Sequence, residues 1–158
     1  MYSQAPHLLR PLTSSDEAVL WEMVHAAVSS SQSDAPDREF VHRPEYSYYA
    51  EGWGQPHDQG FVAYEKEEGN HLGAVWLRAP LDQAPGAPAP ELAFVVRSGH
   101  RQRGIGASLL TQLVRANPQM NSVLLKVGPT SPAVRLLERF GFELADQSEQ
   151  AVVLRRNV

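Results

Sequence analysis

The segment from Arg97 to Leu110, RSGHRQRGIGASLL, gathers three arginines, a histidine and three glycines before an aliphatic run. A strand entering such a turn and a helix leaving it expose backbone N–H groups at the positive end of a helix dipole, which seats an anion. Gly104 and Gly106 lack side chains, so phosphate oxygens could approach the backbone closely, and Arg101 and Arg103 add charge-assisted donors. A plain helix start with incidental glycines fits the same letters, and the turn alone leaves both open. Two other phosphate motifs fail. A Walker loop requires Gly-Lys-Ser/Thr, and no lysine is near; the dinucleotide fingerprint requires a small residue where Leu109 stands.

Charge supports an anionic partner. From Leu92 to Leu137 there is no Asp or Glu, while Arg97, Arg101, Arg103, Arg115, Lys126 and Arg135 give these 46 residues a charge of +6. The whole chain carries −4, so the other 112 residues carry −10. Such asymmetry points the middle of the chain toward an anion. Nucleic acid fits poorly, because the total is negative and no basic-aromatic recognition motif appears.

The 158 residues, 42% hydrophobic and 20% charged, suit one compact domain spanning 1–158. Without cysteine there are no disulfides, thiolate nucleophiles or cysteine metal sites, which fits a reducing cytoplasm. The first residues lack the apolar core of a signal peptide, and no run approaches the roughly 20 apolar residues that span a bilayer. His7, His25, His42, His57, His71 and His100 show no metal-ligand spacing, so no metal is expected.

The elements that position the glycine turn follow from hydrophobic periodicity. HLLRPL reads as a short strand, and TSSDEAVLWEMVHAAV as a helix capped by Ser14 or Ser15 with Val19, Leu20, Met23, Val24 and Ala27 on its buried face. Ser29 to Asp58 reads as loops and short helices, with five aromatic residues between Phe40 and Trp53. GFVAYEKE and HLGAVWLRA form a hairpin about Gly69 and Asn70. PLDQAPGAPAP, with four prolines, is an exposed connection. ELAFVV is a continuous apolar strand expected inside the sheet and covered on both faces. IGASLLTQLVRAN places Ile105, Leu109, Leu110, Leu113 and Val114 on one helical face. SVLLKV is a buried strand, and SPAVRLLERFGF is a helix with Ser131 as cap, Pro132 at its first position and Gly141 past its end. FELA and EQAVVLRR close the chain as paired strands. The pattern is α+β: an antiparallel run, then strand–helix–strand–helix–strand.

Two of these segments carry a resemblance. ELAFVVRSGHRQRGIGASLL resembles motif A of the GNAT acyltransferase superfamily, with Arg101, Gly104 and Gly106 on its Arg/Gln-x-x-Gly-x-Gly/Ala core, and SPAVRLLERFGF resembles motif B. The opening strand and helix are similar to that superfamily's as well. The resemblance implies a mostly antiparallel twisted sheet of six or seven strands flanked by about four helices, with splayed central strands forming the acyl-CoA site. It implies acetyl-CoA or another acyl-CoA as co-substrate, held by Val95, Val96, Arg101, Gln102, Arg103, Gly104, Ile105, Gly106, Ala107 and Ser108. The pyrophosphate would rest on amides from about Gln102 to Ala107, and the pantetheine arm would pair with the backbone edge of Val95 and Val96.

Amine acylation needs a base, donors for the oxyanion and a proton for the leaving thiolate. Glu91 opens the central strand and is the last acid before the cationic stretch. The resemblance implies Glu91 as base and the Val96 N–H as oxyanion donor. Motif B departs where a tyrosine commonly protonates the thiolate, since the residue before Glu138 is Leu137; an asparagine near its start is replaced by Ser131. Water, Ser131 or a tyrosine from the aromatic segment is then expected to give the proton. Phe40 to Trp53, with Glu45 and Glu51, is the expected acceptor wall, suited to a cationic amine. The functional expectation is acetyl transfer to a primary amine of a small molecule or protein, in the cytoplasm, without a membrane, and with room for a homodimer. The alternative is an acyl-CoA sensor with little turnover.

Overall fold

The computed structural model describes residues 7–30, 47–55, 58–78, 89–97, 104–148 and 151–157. The chain runs β1 (His7–Pro11), α1 (Glu17–Ser30), β2 (Gln59–Glu65), β3 (His71–Arg78), β4 (Glu91–Val96), α2 (Ile105–Ala116), β5 (Ser122–Leu125), α3 (Pro132–Glu138), β6 (Glu143–Gln147) and β7 (Val152–Arg155). Seven strands form one sheet in the order β1-β2-β3-β4-β5-β7-β6. Its pairings are antiparallel except β4 with β5.

Two hydrophobic clusters cover the two faces. Leu92, Phe94 and Val96 of β4 turn toward α2 and α3, where Leu109, Leu110, Leu113 and Leu137 complete one core. Ala93 and Val95 turn the other way, toward Leu20, Met23 and Val24 of α1 and toward Trp76. This alternation is the two-residue period of a strand. The expected face of α2 is buried at all five positions.

Local chemistry sets the joints. The β2–β3 hairpin turns through Gly69 at φ 78°, with Glu65 N–H donating to Asn70 O at 2.9 Å. Ser131 caps α3 as expected, accepting from Ala133 N at 3.3 Å. At α1 the expected caps Ser14 and Ser15 are exposed, and buried Asp16 organises the turn instead. Its carboxylate accepts from Thr13 N at 2.7 Å and from both Arg10 terminal nitrogens at 2.9 and 3.0 Å. Arg10 holds that carboxyl well below the usual carboxylate range, at about 2. The proline-rich connection lies almost wholly outside the described residues. Among the described residues no helix is long and apolar enough to cross a membrane.

Candidate active site

The central strand is fully paired on one edge only. Toward β3 its pairing runs from Glu91↔Arg78 to Val96↔Gly73. Toward β5 it pairs at Glu91↔Leu124 alone, closed by Leu124 N donating to Pro90 O at 2.9 Å. The strands then diverge, and β5 ends at Leu125 although SVLLKV was expected to continue. Only Leu92 of β4 is buried; the other five residues are intermediate, so the strand expected to be covered on both faces borders an opening. That opening is a cavity of about 290 Å³, bounded by Leu92 to Val95, by Leu125 to Val127, by Val24 and Ala27 of α1, and by Tyr49, Ser131 and Ala133.

Strand alternation decides which amides face the gap. Arg97 N donates to Leu72 O at 2.9 Å, so the N–H groups of Arg97, Val95 and Ala93 point toward β3. Those of Val96, Phe94 and Leu92 point toward β5. Of the two expected pantetheine residues, Val96 therefore turns its backbone to the gap, whereas Val95 borders the cavity with its side chain.

The glycine turn leads into α2. Gly104 is the N-cap at φ 79°, without a side-chain cap bond, and among the described residues a Cβ there would meet nothing within 4 Å. Gly106 serves packing: a Cβ would lie 2.7 Å from Phe94 Cζ, so its absence lets α2 close on β4. Ile105 is buried in the core and offers the site only its backbone, Ala107 is exposed, and Ser108 Oγ lies 3.4 Å from His7 Nε2 on β1. Arg101, Gln102 and Arg103 lie outside the described residues. Arg97, first of the cationic stretch, is engaged structurally: it pairs with Glu22 of α1, and its Nε donates to His71 O at 2.8 Å. A helix start without a side-chain cap, open space at Gly104 and a groove along the Val96 edge fit an acyl-CoA.

Where β4 and β5 still pair, Glu91 lies just behind the cavity lining: the Tyr49 hydroxyl donates a hydrogen bond to Glu91 Oε2, Lys126 Nζ lies 4.0 Å from Glu91 Oε1, and both partners border the cavity. The Glu91 side chain is 11% exposed. Lys126 also lies 5.8 Å from the Tyr49 ring centroid. The turn carrying Tyr49 is pinned to β3, because Trp76 Nε1 donates to Tyr49 O at 2.9 Å and Arg78 Nη1 to Tyr48 O at 3.1 Å. Burial, then the Glu91 hydrogen bond, push the Tyr49 hydroxyl upward, so it keeps its proton.

Of the expected acceptor wall, positions before Ser47 lie outside the described residues, Glu45 among them. Glu51 is exposed and does not border the cavity, while Trp53 is buried with its Nε1 on Thr13 O at 2.8 Å. Ser131 does border the cavity; its Oγ accepts the capping bond, which leaves the hydroxyl proton uncommitted by that bond. Leu137 is 0% exposed inside the core. Sequence reasoning missed Lys126 as a site residue and did not join Tyr49 to Glu91; 42 residues separate that pair, and no local pattern links them. Among the described residues no group of three or more His, Asp or Glu could hold a metal ion.

A model of the Acetyltransferase (GNAT) family matches residues 21–142. No curated protein matches the sequence. Similar solved structures include a GCN5-related N-acetyltransferase from Kribbella flavida, at 20% identity and TM-score 0.65, covering 96% of this chain and 98% of that one. Another is the PaiA N-acetyltransferase from Thermoplasma acidophilum in complex with coenzyme A, at 14% identity and TM-score 0.60, covering 97% and 99%. A third is a GNAT superfamily phosphinothricin acetyltransferase from Sinorhizobium meliloti in complex with AcCoA, at 18% identity and TM-score 0.59, covering 95% and 87%. These likenesses carry the fold, and the family model spans well over half of the sequence. The chain belongs to the GNAT acetyltransferase family.

Proposed function

We propose that this protein transfers the acetyl group of acetyl-CoA to a primary amine by direct attack of the amine nitrogen. The observation that carries the reading is Glu91, held by Tyr49 where β4 and β5 begin to part, behind a cavity that runs along β4 toward the glycine-capped start of α2. Acetyl-CoA supplies an activated thioester carbonyl.

Each residue then has a defined task. The first-turn amides of α2, from about Ile105 to Ala107, bind phosphate oxygens, and Arg101 and Arg103, which precede the helix in sequence, add charge-assisted donors. The N–H groups of Phe94 and Val96 are directed into the gap, and the one beside the bound thioester donates to its carbonyl oxygen as it becomes an oxyanion. Glu91 takes a proton from the amine nitrogen as the C–N bond forms. As the C–S bond breaks, Ser131 or water returns a proton to the thiolate. Starting from an ammonium acceptor, the products are the amide, free coenzyme A thiol and one proton released to solvent. Apolar walls from Val24, Ala27 and Val95 limit water in the cavity that Tyr49 and Lys126 border. We further infer a cytoplasmic site of action, because acetyl-CoA is an intracellular metabolite and the chain has no cysteine.

The test is thiol release from acetyl-CoA across a library of primary amines, with the acetylated product identified by mass. Release that depends on the amine supports the reading. A second reading, an acyl-CoA-binding module with little turnover, draws on Leu137, which offers no proton from within the core. Coenzyme A binding without thiol release for any amine would favour that second reading.

A further inference from the structure

The groove places a positive charge where an amine acceptor must approach. Leu125 packs into the α2–α3 core, so the next residue, Lys126, lies on the opposite side of the sheet, beside Glu91 and Tyr49. The phosphate seat belongs to the α2 face. Lys126 is therefore not needed there, and its charge borders the acceptor side of the cavity. Among the described residues the charged and titratable groups near Glu91 are Lys126, Tyr49 and, farther along, Tyr48 and Arg78. Arg78 is already engaged by Asp58 and by the carbonyls of Tyr48 and Glu51. Among the described residues Lys126 forms one ion pair, the long contact with Glu91, and its side chain is 55% exposed.

We propose that the acceptor is a small zwitterion of the α-amino acid type, with Lys126 as the residue that reads its carboxylate. This rests on the acetyl-transfer reading and adds the class of acceptor. Glu91 and Lys126 stand 4.0 Å apart, and as the exposed Lys126 side chain swings aside an ammonium and a carboxylate on one carbon bridge the two: the amine meets Glu91 and the carboxylate meets Lys126. Two short, oppositely charged contacts then replace one slack one. An amine without a carboxylate, or a polyamine, instead brings a second positive charge beside Lys126 and is disfavoured. The specificity so produced is a difference, with attraction for the zwitterion and repulsion of the bare cation acting together. This reverses the expectation that acidic residues of the aromatic segment select a cationic amine.

The experiment compares matched pairs that differ only in the carboxylate: leucine with 3-methylbutylamine, methionine with 3-(methylthio)propylamine, and phenylalanine with phenethylamine. Thiol release from acetyl-CoA by the wild type gives kcat/KM for each. The acids are expected to exceed their amines about tenfold or more, the lower end for a charge-assisted bond to a half-exposed lysine. In Lys126→Met the ratio falls to within about threefold through the KM of the acid, and Lys126→Arg restores it. Calorimetry with coenzyme A-loaded protein gives a readout apart from turnover: leucine binding weakens about tenfold in Lys126→Met. Amines used as well as their acids, or a ratio unchanged in Lys126→Met, would overturn the proposal. If both series are idle while a polyamine or a lysine peptide is acetylated, the zwitterion proposal is wrong and acetyl transfer stands. If no acceptor releases thiol, acetyl transfer itself is wrong, and the proposal goes with it.

Discussion

Tyr49→Phe removes one hydroxyl and leaves the ring. The ring continues to border the cavity and to lie under the Lys126 ammonium, so packing should survive. What disappears is the hydrogen bond to Glu91 Oε2. With the Glu91 side chain 11% exposed, water replaces that donor poorly. A hydrogen bond to a charged group is worth about 1.5–3 kcal/mol, which sets a ceiling of roughly 10- to 150-fold; the bond weakens as Glu91 takes the proton, so the part lost from the rate is the positioning of the carboxylate. The loss belongs in kcat, because the carboxylate acts on the amine; the dissociation constant of coenzyme A should stay within about twofold. The tyrosine is held protonated by its raised pKa, so it remains a donor at neutral and mildly alkaline pH, and the factor should be the same across that range. Steady-state thiol release with any accepted amine, together with calorimetry for coenzyme A, makes the comparison. Full kcat in Tyr49→Phe, or a loss confined to the KM for acetyl-CoA, would refute the idea that Tyr49 holds a catalytic carboxylate.

Gly104→Val forces a β-branched residue into φ 79° at the start of α2, and should abolish the rise in melting temperature that coenzyme A gives the wild type. Leu137→Tyr should lower stability by about 1–3 kcal/mol in urea without a gain in turnover, because that side chain fills the core rather than the cavity. The Asp16 carboxyl is depressed in the folded chain, so its contribution is present above the unfolded value near 3.8 and is lost as pH falls toward about 2. Asp16→Asn should therefore cost up to about 2 kcal/mol at pH 7, trimmed because Arg10 is partly exposed, and the gap between the urea midpoints should narrow over that acid window.

Periodicity and end signals made most elements legible. The stripe Ile105, Leu109, Leu110, Leu113 and Val114, the Ser131–Pro132 start of α3 and the Gly69–Asn70 hairpin each depend on residues close in sequence. What the letters did not reveal was where two strands part. ELAFVV and SVLLKV both read as interior strands, and nothing within either one tells that they share a single register pair before diverging. The cofactor-side expectation came from neighbouring residues of one turn, and of these Gly106 has a packing reason that its letters do not show, since a Cβ there would meet Phe94. The acceptor side was not legible. Tyr49, Glu91 and Lys126 come from three distant segments and meet only after the sheet forms. Ser14 and Ser15 looked like helix caps, but Asp16 also draws on Arg10 across the turn, and that added partner decides the geometry.

The most direct test of the central claim compares Glu91→Gln with the wild type in acetyl transfer and in coenzyme A affinity. Glutamine keeps the size of the side chain and can still meet the Tyr49 hydroxyl through its carbonyl oxygen, but it cannot take a proton from an ammonium. The account predicts turnover lower by about 10²- to 10⁴-fold, with the coenzyme A dissociation constant within about twofold of the wild type. Glu91→Gln with full turnover across pH would contradict it, as would a loss explained entirely by weaker coenzyme A binding.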